Sequence, residues 1–200
     1  MRKAKMFKNN IQMVVYIIIF IILICLFIYF GKIDYKNEIP DNIKFSTEYN
    51  LVGTDNVFKY VNAADVNMIA SGKKGIVLFG NPSSKWVNSY ASIVNDVAKE
   101  VGIKEIFYYD FFSDRDENNG TYETIVNSLG NYITYTDISA ADLYAPTLLV
   151  VSNDLILYFD SETSFITGTT SPKDYWNEFN TGLKKNTLKE VFTKYMNGSR

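Results

Sequence analysis

From residue 11 the chain reads IQMVVYIIIFIILICLFIYF, twenty positions to Phe30 with no charge and one polar amide, Gln12. At 1.5 Å per residue, twenty helical residues cross the roughly 30 Å hydrocarbon layer of a bilayer. The pattern therefore predicts a transmembrane anchor over 11–30. Arg2, Lys3, Lys5 and Lys8 precede it without an acid, whereas Lys32, Asp34, Lys36 and Glu38 follow it and cancel. Basic residues stay on the cytoplasmic side, so residues 1–10 are expected in the cytoplasm and 31–200 outside the cell membrane. A cleaved signal peptide is the competing reading. Such a run is usually shorter and ends in small residues, but this one ends in Phe27, Ile28, Tyr29 and Phe30. Cys25 follows the bulky Ile24, which does not suit a lipidation site, and reads as a lipid-facing apolar residue.

Beyond the apolar run the pattern becomes mixed. Residues 31–54 are polar, contain Pro40, and read as an extracytoplasmic linker with room for one short strand. Phe58 to Val61 alternates and predicts a strand, and Ala63 to Ser71 predicts a short helix ended by Gly72. Ile76-Val77-Leu78-Phe79 is uniformly apolar, the mark of a strand buried on both faces. Trp86, Tyr90, Ile93, Val94, Val97 and Val101 recur with helical period. Ser83 or Ser84 can cap that helix, and Gly102 suits its left-handed end. Glu105 to Asp110 is the next strand, and strand, helix and strand of these lengths make a right-handed parallel βαβ unit. Asp114 to Gly120 reads as a charged loop and Tyr122 to Ile133 as a helix. Thr147–Val151 and Leu155–Phe159 read as a hairpin joined at Ser152-Asn153-Asp154. Residues 160–183 look loop-like. The capping box Thr187–Glu190 then opens a last helix with Leu188, Val191, Phe192, Tyr195 and Met196 on one face.

Composition narrows the chemistry. The 200 residues include 15 Tyr and 14 Phe, enough for a packed core, but no His and a single Cys. Without them there is no Ser-His-Asp or Cys-His site, no Cys/His zinc site and no internal disulfide. A calcium loop starting at Asp114 fails, because its sixth position is Asn119 rather than Gly and its twelfth is Ile125 rather than Glu. No metal or cofactor is expected. Four of the 20 basic residues precede the apolar run, and the other 16 against 22 acids leave residues 31–200 at net −6. That balance disfavours nucleic acid as a partner. Tyr108, Tyr109, Phe111 and Phe112 cluster at a strand end and are expected in the core, with an exposed partner patch as the alternative.

The stretch GIVLFGNPSSKWVNSY resembles the thioredoxin-like proteins of Firmicutes, including those called bacteriocin transport accessory proteins. Their loop typically reads F-G-x-P-x-C-x-W-C. Phe79, Gly80, Pro82 and Trp86 match it, while the two cysteine positions hold Ser84 and Val87. Ala145-Pro146-Thr147 before a strand resembles the family's cis-proline loop, so Pro146 is expected to be cis. The resemblance spans about residues 56–197. It implies an α/β fold, a thioredoxin-like three-layer α/β/α sandwich with a central mixed sheet, over 55–197 and preceded by one transmembrane helix. It also implies a peptide groove at Pro82, Trp86, Ala145, Pro146 and Thr147, where backbone beside the proline pairs with an extended peptide.

The same comparison removes the redox reaction. Exchange needs a thiolate to attack and a second thiol to resolve the mixed disulfide. Ser84 is hardly ionised at neutral pH and has no His to take its proton. Lys85 is its helical neighbour and does not face it. Thioredoxins proper bury an acid six residues before the first Cys, where this chain has Leu78. The expectation is therefore a membrane-anchored, redox-inactive module with no catalytic residue, binding an unidentified envelope protein or peptide in bacteriocin or peptide export, maturation or immunity. A substrate-presenting subunit of a separate thiol oxidoreductase, or a structural scaffold in a membrane complex, are the alternatives. Trp86 is expected either to pack, half-buried, beside the groove or to touch the partner.

Overall fold

The computed structural model describes residues 13–25, 39–117, 120–133, 142–166 and 168–198. The basic segment 1–10, the anchor's ends at 11–12 and 26–30, linker residues 31–38, and Asn118 and Asn119 of the charged loop lie outside them. The chain divides into two units, Met1–Ile39 and Pro40–Arg200.

In the first unit, residues 13–25 form helix α1. Its side chains from Met13 to Ile24 are exposed, and so is Cys25. These 13 helical residues span about 20 Å. Among the described residues no helix is long and apolar enough to cross a membrane.

The second unit is α/β. Its helices are α2 (Asp41–Glu48), α3 (Ala63–Ala70), α4 (Lys85–Val101), α5 (Phe112–Asp116), α6 (Gly120–Ser128), α7 (Pro172–Tyr175) and α8 (Glu178–Met196). Its strands are β1 (Phe58–Tyr60), β2 (Gly75–Gly80), β3 (Ile106–Asp110), β4 (Thr147–Ser152) and β5 (Leu155–Asp160). They form one mixed sheet in the order β1-β3-β2-β4-β5. The first three are parallel, β4 runs antiparallel to β2, and β5 antiparallel to β4.

The uniform apolar character of β2 follows from this central place. Ile76 and Leu78 enter one core with Phe45, Tyr90, Val94, Leu188 and Phe192. Val77 and Phe79 enter the other with Val66, Ile69, Ile125 and Leu129. Helices α2, α4 and α8 thus cover one face, and α3 and α6 the other. Gly102 closes α4 in the left-handed region at φ 89°. The β4–β5 turn puts Asn153 and Asp154 at φ 52° and 59°, the two positive values that a two-residue hairpin turn requires.

Four expectations need correction. Residues 40–54 are not linker: the compact unit begins at Pro40, α2 replaces the short strand, and Phe45, Tyr49 and Val52 are buried. Phe45 stacks on Phe58 with ring centres 4.0 Å apart, and Tyr49 Oη meets Tyr108 Oη at 2.5 Å. The charged loop from Asp114 begins inside α5. The helix expected to reach Ile133 stops at Ser128, two residues before Gly130. Finally, α8 starts at Glu178, nine residues before the expected capping box, because Asn177 caps it through Asn180 N–H at 3.0 Å. Thr187 is interior to the helix and donates its hydroxyl back to Leu183 O. The core reading of the aromatic cluster holds: Tyr108, Tyr109 and Phe111 are buried and Phe112 is half-buried.

Candidate functional site

Three chain segments meet at one end of the sheet, and strand register puts them there. Phe79 pairs with Thr147, so the loop leaving β2 lies beside the loop entering β4. On the other side Gly80 pairs with Asp110 at the end of β3. Gly80 lies under the Tyr108 ring, into which an added Cβ would run.

The loop after β2 is held by its own polar atoms. Ser83 N–H donates to Asn81 Oδ1 at 2.7 Å and Ser84 N–H to Asn81 O at 3.0 Å. Ser84 Oγ accepts from Val87 N–H at 3.4 Å, the geometry of a helix N-cap, a role worth about 1 kcal/mol. Val87 is fully buried in the core. Pro82 is exposed and Trp86 half-buried, with the Trp86 ring edge-on to Tyr175 at 5.7 Å between centres. Lys85 is exposed and, among the described residues, makes no hydrogen bond or ion pair.

The loop before β4 is less open. The Ala145–Pro146 bond is cis, Ala145 is half-buried, and Pro146 is buried. Thr147 is fully buried and donates its hydroxyl to Tyr144 O at 2.7 Å. Of the five expected groove residues, Pro82, Trp86 and Ala145 reach the surface. Pro146 and Thr147 shape the loop from inside, and Tyr144, half-buried, presents the surface the sequence reading gave to Thr147.

Two sets of polar residues escaped the sequence reading. Asp110 stands at the same sheet end, where burial raises its carboxyl pKa and the Phe112 N–H partly opposes the rise. The second is a buried ionic cluster. Lys184 Nζ lies 2.8 Å from Asp160 Oδ2, pairs with Glu162, and reaches Tyr158 Oη at 3.3 Å. Tyr90 donates its hydroxyl to Asp160, and Tyr175 donates to Glu162. Burial alone would lower the Lys184 pKa, but the charge and hydrogen bond of Asp160, with Glu162, more than offset it and leave it raised. Burial and the Asp160 charge push the Tyr158 hydroxyl up to about 12.

Register gives this cluster a precise address. Leu78 pairs with Leu148, and Leu148 pairs with Asp160. Directly opposed residues share a face, so Asp160 lies in the same row as Leu78, two strands away. It is tied to a lysine, not to a reactive loop. The only sequence signal was Lys184 falling four residues before Leu188 and eight before Phe192, on the buried stripe of α8. No family model matches the chain, and no curated protein matches it.

Proposed function

We propose that this chain is a single-pass, N-in membrane protein whose extracytoplasmic domain is a thioredoxin-like α/β/α sandwich. It is redox-inactive and binds an envelope protein or peptide as an accessory to peptide export, maturation or immunity. The observation that carries the reading is the Phe79–Thr147 pairing, which sets the two loop segments side by side while Ser84 and Val87 stand where thiols are expected. The sheet order and the cis Ala145–Pro146 bond agree with that arrangement. The Ser84 hydroxyl accepts from the helix backbone and Val87 is sealed in the core, so the loop keeps a shape and neither position carries a thiol. Pairing through backbone at a strand end does not depend on a thiol. The apolar run 11–30 and its basic flank support the anchor.

The test uses the full chain. In detergent with a protein disulfide and dithiothreitol, turnover should equal the protein-free blank. From chemically cross-linked native membranes, a tagged chain should recover one defined partner, and Pro82→Arg, at an exposed position, should abolish that recovery. Turnover above blank, or recovery indifferent to Pro82→Arg, overturns the reading.

A further inference from the structure

A cleft of about 410 Å³ opens beside α4, with Trp176 and Ile93 in its wall. That volume lies within the usual range of small-ligand pockets. Leu51 and Pro172 extend the apolar surface, while Ser89, Ser92 and Lys173 supply the polar one. These polar groups are uncommitted. Among the described residues, the hydroxyls of Ser89 and Ser92 make no hydrogen bond and Lys173 makes no ion pair. By contrast Lys184, Lys185, Lys189 and Lys194 of α8 each hold a carboxylate. Trp176 in the cleft wall is half-buried.

We propose that this cleft binds a carboxylate carried on an apolar body, the chemistry shared by a peptide C-terminus and a small amphipathic acid. One ammonium and two hydroxyls match a single negative charge. A phosphate dianion would call for more cations. The carboxylate pairs with Lys173 and the serine hydroxyls, and the apolar body lies against Trp176, Ile93 and Leu51. The site shares no residue with the sheet-end loops, so it stands or fails separately from the proposed function.

The chain has two tryptophans, so Trp86→Phe leaves Trp176 as the sole indole reporter. The full-length Trp86→Phe chain in detergent is titrated with acetyl-Gly-Gly-Leu, with its C-terminal amide, and with acetyl-leucine, following indole emission. The free acid should give a saturable change, and the amide should bind about tenfold more weakly, the loss of one charged contact. Lys173→Gln, at an exposed position, should erase the difference between acid and amide. Acetyl-leucine binding as well as the tripeptide assigns the site to small acids, and tighter tripeptide binding assigns it to a C-terminus. No saturable change, or equal binding of acid and amide to the Trp86→Phe chain, overturns the proposal without relying on any change at Lys173.

Discussion

Lys184→Met is expected to destabilise the full-length protein by about 3–5 kcal/mol, the cost of leaving a buried charge without its partner. Asp160 and Lys184 are 7% and 8% exposed, so water cannot replace the lost ammonium. Denaturant midpoints at pH 7 measure the effect. The second substitution isolates its cause: Asp160→Asn in the Lys184→Met background should recover a good part of the loss, because the offending charge is gone. Purely additive losses would show that packing, not charge, sets the cost. The pH dependence has a definite sign. The folded-state pKa of Lys184 is raised, so its contribution is fully present below its unfolded pKa of about 10.4 and fades as pH climbs through the folded value.

The second large effect is a gain. Ser84→Cys with Val87→Cys is expected to turn a loop without thiols into a dithiol reductase. The thiol at position 84 would sit at the N-terminus of α4, where the helix dipole and free N–H groups favour its thiolate. That thiolate attacks one sulfur of a substrate disulfide, and the other sulfur leaves as a thiolate. The thiol at position 87 then resolves the mixed disulfide, leaving the protein oxidised and the substrate reduced. Dithiothreitol returns the protein to the dithiol. Ser84→Cys alone should turn over more slowly, since its mixed disulfide has to wait for a thiol of dithiothreitol to resolve it. With Leu78 in place of a buried acid, the rate should rise further in a triple variant carrying Leu78→Asp, if that variant folds. Equal, blank-level turnover in the wild-type and double-cysteine chains would mean that the loop lacks the geometry the resemblance implies.

Much of the sheet was legible in the sequence because central strands and amphipathic helices announce themselves by period. The run Ile76–Phe79, the stripe from Trp86 to Val101 and the hairpin around Asn153-Asp154 all appear where the pattern puts them, to within a residue or two at each end. Helix α2 was hidden because Phe45 is its one buried residue, set in a polar segment beside Pro40. The start of α8 was hidden for the opposite reason: its first buried position is a lysine, and a charged residue reads as surface until a partner such as Asp160 is known. For the candidate site, sequence order showed which loops to examine, and only the burial of each residue in the fold showed which of them reach the surface. That is why Thr147 yields to Tyr144 at the surface.

The direct test of a binding role at the sheet end is site-specific photo-crosslinking in native membranes. A benzophenone amino acid would replace Pro82 on one loop and, separately, Tyr144 on the other, with Glu123, exposed on α6, as the control. The proposed function predicts one defined adduct common to Pro82 and Tyr144 and absent at Glu123. No adduct at either loop, or the same adduct at all three positions, would contradict it.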